Sequence, residues 1–393
     1  MGTLRLILAL SVVMSHGLTT LGGIPLFDGA GAVQAFFTIS GFLITIALNR
    51  KYVEQDGALP AFYWNRLIRL YPAYWVWLLI TIAAYFLLPV SALTRGFYED
   101  GSVQASGFWV DHFQGSSLTT LALAIIANIS GLFADSFLNL GWDRASGALV
   151  AKADSPVWAM AFVFIGQYWS IGVELCFYAL APWVVRRRLA IAALFFLGVS
   201  GWLERSWVAV GQWLHLHPAL VQLQAPKYLW MFMLGAALAH LYMQGADAAP
   251  TRQRRWTWVL LAAMYACIAY RGRLFFPLQA YPWWLFAALT ASLPLLMAKT
   301  STNRYDKFAG DLSYPVYINH FLVIQVLSSF VAPNGLLYAF VTMALAAATV
   351  VFVERPAQKY RLPGSRRSRP AGDRSSASVV TQRQPPVSRV NDR

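Results

Sequence analysis

The chain has 393 residues, of which 58% are hydrophobic and only 12% charged. Its mean hydropathy is +0.50. A soluble domain carries about a quarter charged residues, so an ordinary soluble globular protein is excluded. The formal charge of +14 is not a nucleic-acid signal, because eight Arg and two Asp fall between Arg361 and Arg393 and leave +8 on the rest.

Charges lie in gaps between apolar runs of about 17–25 residues, the length needed to cross lipid. The runs contain Gly and Pro and lack the short alternation of a barrel, so the fold class is all-α, a polytopic membrane bundle. Ten spans are predicted, at residues 4–21, 31–48, 70–90, 157–181, 189–204, 226–243, 256–270, 280–298, 313–331 and 336–353. With the N-terminus inside, the basic gaps 50–69, 186–188, 252–255 and 299–307 all fall in the cytoplasm, as the positive-inside rule requires. Both termini are then cytoplasmic. Residues 117–133 are apolar enough for an eleventh span, but that would put Arg186 and the basic tail outside. They are read as an interfacial or re-entrant helix, with the full span as the alternative. Residues 1–356 form the membrane domain, and 357–393 read as a basic, disordered tail held near anionic lipid.

The first span carries Arg5 and His16, eleven residues apart. That spacing is about three turns, so both share one face roughly 16 Å apart. Ionisable groups inside a membrane helix are costly and usually functional. His16 has the chemistry of a general base. The alternatives are a packing hydrogen bond, or a secretory signal, against which the histidine and the missing cleavage pattern argue.

Arg66 and Arg69 stand at the inner end of the third span, three apart and on one face. Paired guanidiniums suit phosphates. Topology control is the competing reading. Glu174 is the only acid between Val157 and Val185. A lone carboxylate in lipid must be paired or protonated. A His or Arg on another helix is the obvious partner, and Trp169 and Ser170 stand ready to orient it or a ligand. Tyr317, Asn319 and His320 add polarity to the ninth span, with His320 expected about 10 Å from the cytosolic edge. Functional and structural readings are balanced there.

Cys176 and Cys267 fall in apolar runs, so neither a disulfide framework nor a thiolate metal site is indicated. His215 and His217 lack an evident third ligand. No metal and no tightly bound cofactor are expected. Phosphate-binding glycine loops are absent as well.

These stretches in order resemble the membrane-bound acyltransferase-3 family, which includes bacterial O-acetyltransferases of surface polysaccharides. The matching segments run from Leu4 to His16, Phe36 to Ile44, Asn65 to Trp75, Tyr168 to Tyr178, Leu312 to His320 and Val353 to Pro356. The family's arginine–histidine pattern falls on Arg5 and His16, its basic pair on Arg66 and Arg69, and its Trp-Ser and Glu pattern on Trp169, Ser170 and Glu174. Leu175 and Cys176 depart from the acidic residue and Gln that many members carry there.

The resemblance implies a bacterial cytoplasmic-membrane enzyme that takes an acyl group from acyl-CoA, acetyl-CoA foremost, to a hydroxyl of a carbohydrate or glycolipid. His16 is then the base, Glu174 its partner, and Arg5, Arg66 and Arg69 the donor's phosphate ligands. The alternative is a proton-coupled transporter of a glycan or small metabolite. The exterior segment around residues 90–155, with Trp109, Asp111, His112, Asp135, Trp142 and Asp143, is expected to choose the acceptor by stacking and hydrogen bonding.

Overall fold

The computed structural model describes residues 1–16, 29–52, 57–87, 113–155, 157–199, 202–246, 303–332 and 334–363, with a few positions between 290 and 297. The expected span 256–270, most of 280–298, Trp109, Asp111, His112 and residues 364–393 lie outside them.

The long helices are α1 (Gly2–His16), α2 (Gly29–Arg50), α3 (Ala58–Leu87), α4 (Leu118–Ser130), α5 (Trp169–Val184), α6 (Arg188–Val199), α7 (Trp202–Trp213), α8 (Ala225–Ala246), α9 (Arg304–Leu327) and α10 (Gly335–Thr349). Three of the described helices are long and apolar enough to cross a membrane: α2, α3, and α10 together with its continuation to Gln358. That continuation is a π-helical turn, Val350–Glu354.

Several boundaries differ from the expected ones. Helix α3 begins twelve residues before position 70, so Arg66 and Arg69 lie inside it. Helix α5 begins at Trp169 rather than 157, because short 3-10 turns at Ala159–Phe162 and Gly166–Tyr168 precede it. Helix α9 begins at Arg304, where Asn303 accepts the Tyr305 and Asp306 amides as an N-cap. His320 therefore sits about 24 Å along α9 from its first residue, rather than the roughly 10 Å that a helix start at 313 gives. Apolarity locates where lipid is crossed, whereas capping decides where a helix starts.

The segment before α5 also holds a two-stranded hairpin, which an all-α reading omits. β1 (Leu140–Asp143) pairs antiparallel with β2 (Ala148–Ala151), Leu140 opposite Ala151. Its turn is closed by the Asp143 carboxylate, which accepts the Ala145 and Ser146 amides, and by Gly147 at φ 66°.

Tyr63 of α3 donates to the Ala179 carbonyl of α5, and the Tyr74 ring stacks on Tyr168 at 3.6 Å. α3 and α5 are thus antiparallel. The last turn of helix α4 meets Tyr71, Tyr74 and Trp75 of α3, whose side chains donate to the Ser130, Asn128 and Ile129 carbonyls. There the chain turns back at Gly131, a left-handed cap with φ 78°. Its 13 residues span about 20 Å.

Two helix pairs frame the interior. Helices α2 and α8 pack parallel at very close range. A methyl added at Gly41 would run into the Phe232 carbonyl, and one at Gly235 into the Thr38 carbonyl. Helices α1 and α9 are also parallel, with Gly2 against Gly310 at one end and His16 beside His320 at the other.

Asp135 does not face an acceptor. It is fully buried and accepts the Gln224 and Ala225 amides at 2.8 and 3.1 Å, capping α8. Trp142 is likewise buried, packed on Phe162. Burial pushes the Asp135 carboxyl up to about 6, against the opposing pull of those amides. The folded state holds that proton more tightly, so the stabilising contribution is complete below the unfolded value of 3.8 and lost as pH rises through about 6.

Two outcomes follow for thermal unfolding in detergent. Gly41→Ala or Gly235→Ala forces α2 and α8 apart and costs about 1–3 kcal/mol or more. Asp135→Ala lowers stability by about 1–2 kcal/mol through the lost cap, and Asp135→Asn flattens the decline in stability between pH 4 and pH 6 that wild type shows.

Candidate active site

Among the described residues, two cavities lie between the helix pairs. The larger is about 600 Å³ and is walled by α1, α2, α5, α9 and the segment before α5. His16 stands on its wall with Ser15, Trp158, Gln167, Trp169 and Phe321. The smaller is about 50 Å³, lined by Arg5, Ser40, Ser170, Glu174, Tyr314 and Tyr317 among others. Tyr317 and Val33 border both.

His16 ends α1 and is exposed to the larger cavity. Its ring stacks 5.4 Å from that of His320 and lies 4.5 Å from Phe321. His320 is fully buried. Its Nδ1 lies 2.7 Å from the Tyr317 carbonyl, which accepts only, so Nδ1 carries the proton and neutral His320 keeps a lone pair on Nε2. That Nε2 has no hydrogen-bond partner.

Glu174 belongs to the smaller cavity. Its Oε1 accepts from the Ser40 and Tyr178 hydroxyls, both at 2.5 Å. Among the described residues no hydrogen bond joins it to His16, the partner expected for it. Arg5 lies within electrostatic reach of Glu174, Tyr178, Asp311 and Arg69. Arg66 lies over the Phe62 and Tyr178 rings, 5.7 and 5.9 Å from their centroids. Arg5, Arg66 and Arg69 thus gather near Glu174 and the smaller cavity, while His16 lines the larger one.

The partition between the compartments is tied from both sides. The Tyr317 hydroxyl contacts Ser170 Oγ at 2.8 Å and donates to the Gln167 carbonyl at 3.1 Å. The Gln167 amide donates back to the Tyr317 and Ile318 carbonyls. Trp169 lines the larger cavity and packs on Phe37 and Tyr228. Asn319 turns away, its amide donating to the Thr342 carbonyl of α10 at 3.2 Å.

Sequence reasoning missed Ser40, Gln167, Tyr178 and Phe321. Tyr178 was within reach of it, being four residues after Glu174 on the same helical face. Ser40 and Gln167 enter through contacts that no local pattern announces.

Residues 2–354 match the family model Acyl_transf_3, an acyltransferase domain. The chain is also 26% identical over 402 residues to Nodulation protein 10 of Rhizobium leguminosarum bv. viciae, a similarity covering 91% of this chain and 92% of that protein. No solved structure matches. A match that takes in both cavities and every helix around them, from α1 to the π-turn at Glu354, makes the conclusion plain: the chain belongs to the acyltransferase-3 family.

Proposed function

We propose that this membrane acyltransferase carries an acyl group, acetyl from acetyl-CoA foremost, to a hydroxyl of a carbohydrate or glycolipid acceptor, with His16 as general base. The carrying observation is His16, exposed on the wall of a cavity of about 600 Å³ and stacked on a second histidine. The guanidiniums of Arg5, Arg66 and Arg69 at the opposite mouth support a polyphosphate-bearing donor.

In this reading His16 takes the acceptor hydroxyl's proton as the oxygen attacks the thioester carbonyl. The new C–O bond forms, the C–S bond breaks, and the imidazolium returns the proton to the leaving thiolate. The apolar walls of the cavity favour the neutral imidazole that the first step needs. Glu174 holds Arg5 by charge and organises Ser40 and Tyr178 around the donor's path. Trp158 and Trp169 offer aromatic faces to a sugar ring. The tied partition at Tyr317 must open, or be threaded by the donor's arm, for the two substrates to meet.

In the same reading the chain lies in a bacterial inner membrane with ten spans, and the basic gaps support a cytoplasmic place for both termini and Arg186. This orientation puts the arginine mouth on the cytosolic side, where acyl-CoA is made, and the His16 cavity toward the outer face.

Three outcomes test the proposal. His16→Ala in vesicles supplied with labelled acetyl-CoA and native acceptor slows transfer by about 10²–10⁴; full transfer by a correctly inserted variant refutes the role. Mass spectrometry of surface glycans from a deletion strain shows the loss of about 42 Da, one acetyl group, restored on complementation. A transporter without covalent chemistry would leave glycan masses and thiol release unchanged. A cysteine introduced at position 187 stays unlabelled by an impermeant thiol reagent in intact cells; labelling from outside overturns the orientation.

A further inference from the structure

The residues after the last helix do not leave the membrane domain at once. Trp64 Nε1 donates to the Tyr360 carbonyl at 2.8 Å. Asn65, buried in α3, grips Leu362 at both backbone groups. Its Oδ1 accepts the Leu362 amide and its Nδ2 donates to the Leu362 carbonyl, each at 2.8 Å. Nδ2 also meets the Tyr52 hydroxyl at 2.8 Å. With Tyr360 tied on one side and Leu362 gripped at two points on the other, the path of the residue between them is fixed.

That residue is Arg361, between the ties at Tyr360 and Leu362. It comes within electrostatic reach of Arg66, Arg69, Asp311 and Glu354. Four guanidiniums, Arg5, Arg66, Arg69 and Arg361, therefore share one mouth with Glu174, Asp311 and Glu354. Among the described residues, none of these guanidiniums comes within 4.0 Å of a carboxylate; the ion pair found at that distance is Met1 with Asp306. Arg66 Nε is buried with no hydrogen-bond partner. Cations held together near low dielectric without direct counter-charges are unfavourable. An anion with several oxygens relieves that repulsion, and guanidiniums bind phosphate oxygens in pairs.

We propose that Arg361 is a fourth phosphate-binding guanidinium of the donor site, and that Asn65 is the positioning residue that holds it there. The inference rests on the acyl-CoA reading given above. It removes Arg361 from the tail and makes the chain after the last helix part of the donor mouth. The phosphate could belong to the donor's nucleotide or to a lipid headgroup, and the donor is favoured because Arg5 connects this mouth to the cavity that holds Glu174.

The test is binding of coenzyme A and of pantetheine, which lacks the phosphates, to the full chain in dodecyl maltoside. Wild type is expected to prefer coenzyme A. Arg361→Gln weakens coenzyme A by about tenfold or more, the range of a charge-assisted hydrogen bond, and leaves pantetheine unchanged. Arg361→Lys recovers part of the loss. Asn65→Ala reproduces it with the guanidinium intact; should that variant not fold, Arg361→Gln decides alone. Equal weakening of both probes means a structural role and overturns the proposal. So does intact coenzyme A affinity in Arg361→Gln with loss of phosphatidylglycerol binding, which assigns the cluster to a headgroup. If Arg66→Ala and Arg69→Ala lose coenzyme A while Arg361→Gln does not, this inference fails alone. If wild type binds coenzyme A no better than pantetheine, the acyl-CoA reading fails with it.

Discussion

Asp306 sets the register on which the site depends. One carboxylate, in the first turn of α9, accepts the Gly2 amide at 2.8 Å and the Thr3 amide and hydroxyl at 2.9 Å. The Met1 amino group closes the set at 2.9 Å. A helix begins with amides that lack intrahelical partners and with a positive dipole end. Here another helix supplies the acceptor, so the cap is also a tether. Gly2 and Gly310 lack side chains and let the two backbones meet. Equal numbers of residues then separate Gly2 from His16 and Asp306 from His320. Two parallel helices with one rise per residue bring those imidazoles level.

The same logic of close approach holds the opposite wall. Gly41 and Gly235 seat α2 and α8 against each other, with Phe37, Phe177 and Phe232 filling the space alongside. Packing rather than water exclusion drives helix association in lipid, which favours small residues at such contacts. At its far end α2 is closed by Arg186, whose guanidinium donates to the Leu48 and Tyr52 carbonyls. These rigid pairs leave the interior between them open, and Tyr317 divides it. The division explains how one small bundle keeps an arginine mouth and a histidine cavity apart.

Much of this was legible in the residues. Arg5, His16, Arg66, Arg69 and Glu174 stand out because ionisable groups in apolar runs are costly, and their spacing assigns faces. The apolar runs located α2 and α10 within two residues of their start. Helix α4 was legible as an apolar run, its residues 118–130 falling within the expected 117–133. The hairpin was not, because four-residue strands carry too little alternation to register. Asp135 misled for a physical reason: a carboxylate in an exterior loop has the composition of a sugar ligand and the geometry of a helix cap, and only coordinates separate the two. The same holds for Arg361, whose basic, Pro-containing surroundings read as tail until Asn65 is seen to grip Leu362.

The sequence by itself determined the class of molecule and the cast of ionisable residues. Hydropathy and charge act locally along the chain, and a motif carries its own spacing. Tertiary structure decided the partnerships. It paired His16 with His320 rather than Glu174, gave Glu174 to Ser40 and Tyr178, turned Asn319 toward α10, and brought Arg361 back from beyond the last helix. Each depends on residues that are distant in sequence and become neighbours only when caps and glycine contacts fix the helices in register.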